Sequence, residues 1–127
     1  MQQSMISGLE SGAQALEVSR RDAIELLDLR QGEYILDAGC GIGGTTYAFA
    51  EKVGTSGFVT GMDASAVMIE AAKQRQGNRL FKGKFVQGSV MKLNFSDATF
   101  DASYIERVLQ HVPDPIVGVS ELVRVVR

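Results

Sequence analysis

Stretches with the hydrophobic pattern of strands alternate along this chain with stretches that have the hydrophobic spacing of helices. Four short apolar runs, bounded by Gly, Asp, Asn or Ser, have the length and the Val, Ile, Phe and Tyr content of buried strands. They are residues 34–36, 58–62, 84–87 and 100–105. Stretches with helical spacing of apolar residues precede the first run and follow the first, second and fourth runs. This alternation predicts an α/β fold, a parallel sheet with helices on both faces and right-handed crossovers.

The spacing also predicts which helix faces are buried. A first helix is expected over about 15–29, and a second from Thr45 to just before Gly54. The third is expected to bury a stripe made of Ala64, Val67, Met68, Ala71 and Ala72. In the last helix, Asp114 is the expected cap and Pro115 the first residue. Its expected apolar face consists of Ile116, Val119, Val123 and Val126.

A glycine-rich loop joins the first predicted strand to the helix that follows it. Asp37 ends the strand, and Gly39, Gly41, Gly43 and Gly44 follow within seven residues. Glycine allows a sharp turn and a close approach of the backbone to a ligand. Strand, glycine loop and helix N-terminus together are typical of a nucleotide-type binding site, because the helix start offers unpaired N–H groups.

Two carboxylates decide which nucleotide this loop favours. Asp37 lies directly below the loop, where it would repel a pyrophosphate. Asp63 lies 20 residues beyond Gly43, at the end of the second predicted strand, where a carboxylate can accept hydrogen bonds from a ribose diol. The pattern therefore favours a nucleoside that carries positive charge near Asp37. S-adenosylmethionine fits, through its sulfonium and ammonium groups.

The run LDAGCGIG, residues 36–43, resembles the glycine motif of class I S-adenosylmethionine-dependent methyltransferases, close to their small-molecule branch. The run FDASYIERVLQHVPDP, residues 100–115, resembles the segment around the fourth strand of the same enzymes. The resemblance implies a Rossmann-like three-layer α/β/α sandwich with strand order 3-2-1-4. It also implies that the cofactor binds at the carboxyl ends of the strands, beside the first strand.

The motif and the resemblance together give nine candidate cofactor-binding residues. These are Asp37, Gly39, Gly41, Asp63, Ala64, Met68, Ser89, Val90 and Ile105. Family members usually carry Asp where this chain has Ser89, so adenine meets a neutral acceptor here, which is a weaker one. The resemblance also implies that the amide of Val90 addresses the ring and that the Ile105 carbonyl accepts from the cofactor ammonium. Met68 is either a core residue or an adenine contact, and the core is the simpler interpretation.

No catalytic acid or base is obligatory for methyl transfer, because alignment of nucleophile, methyl group and sulfur supplies most of the effect. Glu106 and His111 are the candidates if a base is needed, although a solvated helix start and a helix-end contact are the simpler interpretations. Cys40 is expected to be a small filler of the loop. Arg20 or Arg21 is a candidate for the methionine carboxylate, with a solvated side chain as the simpler alternative.

Composition narrows the remaining function classes. The 127 residues form one expected domain, 1–127, and a net charge of −2 makes nucleic acid a poor partner. No apolar run has the length of a membrane span, and the N-terminal stretch lacks the pattern of a signal peptide. A single Cys excludes an internal disulfide and suits the reducing cytoplasm, and with one His it argues against a metal site.

The resemblance ends where the family continues into a fifth strand and an antiparallel pair, which usually complete the substrate pocket. We therefore expect the cofactor-binding portion of an enzyme acting on a small molecule. The alternative is a non-catalytic binding or assembly module, and a nicotinamide-dependent oxidoreductase is a weaker third, disfavoured by Asp37. An uncovered fourth strand is also expected to support a homodimer, through that edge or a swapped C-terminal helix.

Overall fold

The computed structural model of the chain describes residues 21–22, 24–106, 108 and 111–127. The strands are β1 (Tyr34–Ala38), β2 (Phe58–Asp63), β3 (Gly83–Gln87) and β4 (Ala102–Ile105). The helices are α1 (Gly44–Val53), α2 (Ala66–Gln76) and α3 (Pro115–Arg124). Residues 21–22 and 24–27 are also helical. They agree with the predicted first helix, but it ends before Asp28 rather than at Leu29. The predicted residues before 21, with Arg20, lie outside the described residues.

The four strands form one parallel sheet in the order β3-β2-β1-β4. Ile35 of β1 lies opposite Val59 of β2 on one side and opposite Ala102 of β4 on the other. The predicted fold class and strand order are therefore confirmed. The carboxyl ends of β1, β2 and β4 meet at one edge of the sheet, which is where ligands bind in folds of this kind.

Alternate residues of β1 bury their side chains on opposite faces of the sheet. Ile35 packs with Phe49 and Val53 of α1, whereas Leu36 packs with Leu122 of α3 and with Val125. Both β1 side chains are fully buried. Helix α2 packs on the α1 side, since its Ile69 and Ala72 share a cluster with Tyr47 of α1 and Phe85 of β3. The result is the predicted three-layer arrangement.

The predicted buried stripe of α2 is wrong for most of its residues, since of its five members Ala72 alone is buried. Val67 is 74% exposed and Met68 is 40% exposed, whereas Ile69 and Ala72 are buried. The Tyr47 hydroxyl donates to the Ala72 carbonyl at 2.8 Å, so α2 is docked through the face that carries Ala72. The apolar spacing of the stripe is present, but packing against Tyr47 turns most of it outward. Ser65 caps the helix by accepting from the Met68 amide at 3.2 Å.

The predicted apolar face of α3 is also wrong. Ile116 is 77% and Val123 is 67% exposed, whereas Leu122 is buried against the sheet. Asp114 caps the helix by accepting from two backbone amides, as predicted, and Pro115 is its first residue. The helix ends at Arg124, so Val126 is not helical and instead pairs with Phe100 in an isolated parallel bridge.

The end of the fourth predicted strand differs in detail. Regular pairing starts at Ala102 rather than at Phe100. A helical turn was expected over 106–111, but Glu106 and Val108 are not helical. The end of the turn is present, since the His111 amide donates to the Val108 carbonyl at 2.9 Å in a 3-10 turn. Residues 107, 109 and 110 lie outside the described part. In that described part, none of the helices has the length and apolar content to cross a membrane.

Candidate cofactor-binding site

The glycine loop crosses the carboxyl end of β2. The amides of Gly39 and Cys40 both donate to the Met62 carbonyl, at 2.6 and 2.9 Å. Gly43 caps α1 in a left-handed conformation with φ of 91°, and its carbonyl accepts from the Tyr47 amide at 2.9 Å. The sequence therefore folds into a strand, a tight loop and a helix whose first turn faces the carboxyl edge of the sheet.

Asp37 is buried beneath this loop, with 2% of its surface exposed. Its Oδ2 accepts from the Thr46 hydroxyl at 2.7 Å, which ties β1 to the first turn of α1. Gly61 leaves the room for this contact, because a Cβ there would lie 3.0 Å from the Thr46 hydroxyl. Sequence reasoning missed Thr46. A hydroxyl in the first turn after the loop, following a strand-end carboxylate, is the signal that would have found it.

Asp63 ends β2 and holds the loop through its carboxylate. Oδ2 accepts from the Gly41 amide at 2.9 Å, and Oδ1 accepts from the Ser65 amide at 2.9 Å. An ionised carboxylate offers about four lone-pair positions, so this group can accept further hydrogen bonds. Asp63 is partly exposed at the sheet edge, so its carboxylate is accessible to a hydrogen-bond donor from a ligand.

A cavity of about 100 Å³ lies next to Asp63, between the ends of β2 and β3. It brings together five of the nine predicted residues: Gly39, Asp63, Ala64, Ser89 and Val90. Its other lining residues are Met62, Gly88, Val108 and Val112. The last two were missed, and their i, i+4 spacing after the fourth strand was the available signal. Asp37, Gly41, Met68 and Ile105 lie outside this cavity.

The loop after β3 forms one wall of the cavity. The Gly88 amide donates to the Asp63 carbonyl at 3.0 Å, which joins this wall to β2. The Ser89 hydroxyl accepts from the Met91 amide at 3.1 Å within a turn, and its second lone pair is available to a ligand donor. Val90 is 3% exposed and packs in the core, so its side chain fixes the loop to the sheet.

The remaining candidates lie around this centre. Ile105 ends β4 opposite Ala38, at the same sheet edge as Asp37. Glu106, the next residue, accepts from the Tyr104 hydroxyl at 2.9 Å, and the His111 side chain is exposed. Among the residues that the structure describes, no cluster of His, Cys, Asp and Glu has a composition suited to holding a metal ion.

The electrostatics of the loop favour a cation. Burial raises the pKa of the Cys40 thiol to about 12, and the negative charges of Asp37 and Asp63 add to the effect. A thiol with this pKa is protonated at neutral pH, which supports the interpretation of Cys40 as a filler. The same two carboxylates that disfavour a thiolate would stabilise a sulfonium or an ammonium group beside the loop.

The two central glycines differ in what surrounds them. Gly41 has φ of 57°, and a Cβ at this position would meet no heavy atom within 4 Å. A Cβ at Gly39 would overlap the side chain of Val108. The loop surface at Gly41 is thus open to a ligand, whereas Gly39 is required by close packing. Open backbone, a ribose-type carboxylate and a buried second carboxylate fit the chemical groups of S-adenosylmethionine.

Comparison with known proteins indicates the family to which this chain belongs. A family model described as "Methyltransferase domain" matches residues 35–127. Demethylmenaquinone methyltransferase of Geobacillus is 37% identical over 109 residues, which cover 85% of this chain and 47% of that protein. The arsenic(III) S-adenosylmethionine methyltransferase of Chlamydomonas reinhardtii is 30% identical with a TM-score of 0.71, over 76% of this chain and 36% of that one.

A third similar structure, the [4+2]-cyclase SpnF, has a TM-score of 0.81 at 26% identity. The match covers 90% of this chain and 42% of that one. This chain therefore spans less than half of the length of each of these three proteins. The family match extends from β1 through α3 and includes the glycine loop, Asp63 and the wall after β3. On these grounds the chain belongs to the family of S-adenosylmethionine-dependent methyltransferases.

Proposed function

We propose that this chain supplies the cofactor-binding portion of a methyltransferase that acts on a small molecule. The observation that carries the proposal is the pair Asp37 and Asp63, which flank an open glycine loop at the carboxyl edge of the sheet. Asp63 would hold the ribose, the Gly41 backbone would lie against the methionine portion, and Gly88 to Val90 would line the adenine. Bound S-adenosylmethionine would supply an electrophilic methyl group on a positively charged sulfur.

The chain's own residues would contribute alignment and charge rather than acid–base chemistry. The buried Asp37 fixes the first turn of α1 through Thr46 and places negative charge under the loop. A cationic ligand in this position is stabilised by charges that are already in place, so little reorganisation is needed. Rate enhancement would then come mainly from holding the acceptor in line with the methyl group.

A small-molecule acceptor is supported by charge and by relatives. A net charge of −2 provides no basic surface for nucleic acid. Similar proteins are named for methylation of demethylmenaquinone and of arsenic(III), both small acceptors. As part of the proposal we assign the chain to the reducing cytoplasm, since Cys40 is a free thiol.

Calorimetric titration of S-adenosylmethionine, S-adenosylhomocysteine and NAD⁺ tests the proposal. We expect saturable binding of the first two with Kd of about 1–100 μM, and no binding of NAD⁺, because Asp37 repels a pyrophosphate. Tighter binding of NAD⁺ than of S-adenosylmethionine would overturn the assignment. Binding of neither adenosyl compound would do the same.

A second function uses the same fold without methyl transfer. It is favoured by the similarity to a protein named as a [4+2]-cyclase, with a TM-score of 0.81. Both functions predict binding of the adenosyl compounds, so turnover separates them. A methyltransferase forms S-adenosylhomocysteine in the presence of its acceptor, whereas a non-transferring module leaves S-adenosylmethionine intact over the same panel of small phenols, quinols and thiols.

A further inference from the structure

Helix α3 reaches the cavity wall after β3 through two charged side chains. Arg124 donates from Nη2 to the Leu93 carbonyl and from Nη1 to the Phe95 carbonyl, both at 2.9 Å. Glu121 accepts from the Leu93 amide at 2.7 Å. Both backbone groups of Leu93 are therefore held by α3. We call the pair Glu121 and Arg124 the α3 clamp.

The two side chains of the clamp also fix one another. Arg124 donates to both carboxylate oxygens of Glu121, from Nε at 2.8 Å and from Nη2 at 3.1 Å. Bidentate pairs of this kind have a fixed geometry, because the guanidinium is planar. The Arg124 side chain is 32% exposed and that of Glu121 is 20% exposed, so solvent screens the pair less than a surface ion pair.

Leu93 is three residues beyond Val90, at the far end of the cavity wall. The near end is held where Gly88 donates to the Asp63 carbonyl at 3.0 Å. Between these two points the chain makes one turn, with the Lys92 amide donating to the Ser89 carbonyl at 3.2 Å. Since both ends are fixed, the position of Ser89 and Val90 depends on the clamp as well as on β3.

We propose that Glu121 and Arg124 are positioning residues for the adenine side of the cofactor site, acting through Leu93. This inference rests on the proposed function, because it assigns the wall after β3 to adenine. Within the described part of the chain, the side-chain hydrogen bonds of the clamp to other elements run to the backbone of Leu93 and Phe95 and to the side chain of Asp97, so the clamp acts on the site indirectly. Its loss should weaken every ligand that carries adenine, with or without the methionine portion.

Arg124→Met removes the guanidinium that donates to both Glu121 oxygens and to the two backbone carbonyls. Arg127→Met is the matched control. Arg127 also pairs with a carboxylate, Asp101, at 2.8 Å, but it lies beside Phe100 and Tyr34, away from the cavity wall. Arg124→Lys retains the charge and loses the bidentate geometry. All variants are compared at a temperature well below the lowest unfolding midpoint, so that a loss of affinity is not a loss of folded protein.

Titration with S-adenosylhomocysteine and with adenosine gives the first readout. We expect Arg124→Met to weaken both ligands by the same factor of about ten, Arg124→Lys to weaken both by at least about threefold, and Arg127→Met to stay within about twofold of the wild type. Wild-type affinity in folded Arg124→Met, or an equal loss in Arg127→Met, would overturn the proposal.

Hydrogen exchange of the ligand-free protein gives a second readout that does not depend on binding. Arg124→Met should speed the exchange of the amides of residues 89–93 at least about tenfold relative to Arg127→Met. These amides exchange through local opening, and in Arg124→Met the opening no longer has to break the hydrogen bonds of the clamp. Equal exchange rates in the two variants would overturn the proposal that the clamp orders this loop. If the wild type bound neither ligand, the proposed function would fail, while this comparison would still decide whether the clamp orders the loop.

Discussion

The carboxylate of Asp63 orders protein backbone on one side and faces a ligand site on the other. At the residue scale this makes Asp63→Ala a sharp test. Charge-assisted hydrogen bonds contribute about 1.5–3 kcal/mol each, so loss of the proposed ribose contact should weaken binding of S-adenosylmethionine by at least about tenfold. Calorimetric titration of the folded variant measures the change.

Asp114→Ala provides the control for Asp63→Ala. Asp114 also accepts from two backbone amides, those of Ile116 and Val117, but it caps α3 and does not line the cavity beside Asp63. Loss of a helix cap costs about 1 kcal/mol of stability. We expect that cost without a change in affinity. A variant at Asp63 that binds like the Asp114 variant would remove Asp63 from the site.

Cys40 gives a second prediction at this scale. With a pKa raised to about 12 and with 8% of its surface exposed, the thiol should react with iodoacetamide at pH 8 far more slowly than a free cysteine. Mass spectrometry of the native and the urea-unfolded protein measures the difference. Rapid alkylation of the native protein would show that the loop is open or that the thiolate is stabilised in a way that its neighbours do not explain.

Single residues were predictable where their chemistry is local. Asp37 and Asp63 follow apolar strands directly, so the order of residues alone places them at the carboxyl edge of a parallel sheet. Thr46 and Val108 act through contacts across the chain, with Asp37 and with Gly39. Residue type and spacing mark these two positions as candidates, but the partner that each one contacts depends on how the elements pack, which the sequence alone does not specify.

Among the elements, the glycine loop offers the clearest test. Gly41→Ala should cost about 1–2 kcal/mol of stability, because φ is 57° there, and should also weaken S-adenosylmethionine, because the new methyl group enters open space above the loop. Chemical denaturation and ligand titration of the same variant separate the two effects.

Gly77→Ala is the matched control for the loop. Gly77 follows α2, has φ of 55° and likewise has no heavy atom within 4 Å of a Cβ. The Gly77→Ala variant should therefore lose stability through backbone strain and retain its affinity for S-adenosylmethionine. Equal affinities of the two variants would mean that the loop at Gly41 is a turn without contact to the ligand.

The Glu121 carboxylate on α3 should make the stability of the protein depend on pH. Hydrogen bonds from Arg124, and then from the Leu93 amide, lower the pKa of Glu121 in the folded state. The charged form is thus favoured by folding, and this stabilisation is complete above the unfolded pKa of about 4.3 and is lost as the pH falls through the lower, folded value. Urea unfolding of the wild type and of Glu121→Gln between about pH 3 and 7 measures it.

The two proteins should differ most in unfolding free energy at neutral pH and converge under acid. Glu70→Gln, on the exposed side of α2, is the control and should follow the wild type throughout. A difference that is independent of pH would assign the effect of Glu121→Gln to packing rather than to charge.

Element types were predictable, and helix orientation was not. The alternation of strand-like and helix-like spacing of apolar residues predicted the strands and helices in the observed order. Asp114 and Pro115 correctly predicted the start of α3. The buried faces of α2 and α3 were wrong because both helices carry apolar residues on more than one side. Contact with Tyr47 determines which face of α2 is buried, and contact with the Leu36 side of the sheet determines which face of α3 is buried.

At the scale of the whole molecule, β4 lies at an edge of the described sheet beside the exposed residues of α3. A groove runs between them, lined by Ala102, Ser103, Ile105, Val119, Leu122, Val123 and Val126, with Asp101 at one end. Apart from Asp101, which pairs with Arg127, the groove is uncharged, so two copies can meet across it without burying charge. We propose that a second copy of the chain covers this groove with twofold symmetry.

Light scattering over a concentration series checks this association. We expect dimers at about 0.1 mM, and we expect Val123→Glu to shift the equilibrium to monomer by placing a charge in the interface. Val67→Glu is the control, since Val67 is similarly exposed, at 74%, but lies on α2 across the sheet. A wild-type monomer at this concentration, or equal effects of both substitutions, would contradict the proposal.

The register of β1 has a consequence for synthesis of the chain. The Tyr34 amide, at the start of this central strand, is held by Asp101, which lies 67 residues later. At about 5–20 residues per second, a ribosome needs about 3–13 s to make that stretch. During this time β1 can pair with β2 alone, and its other edge stays open. One edge of this central strand therefore stays uncovered until synthesis has reached β4, and in that interval a chaperone has the most to protect.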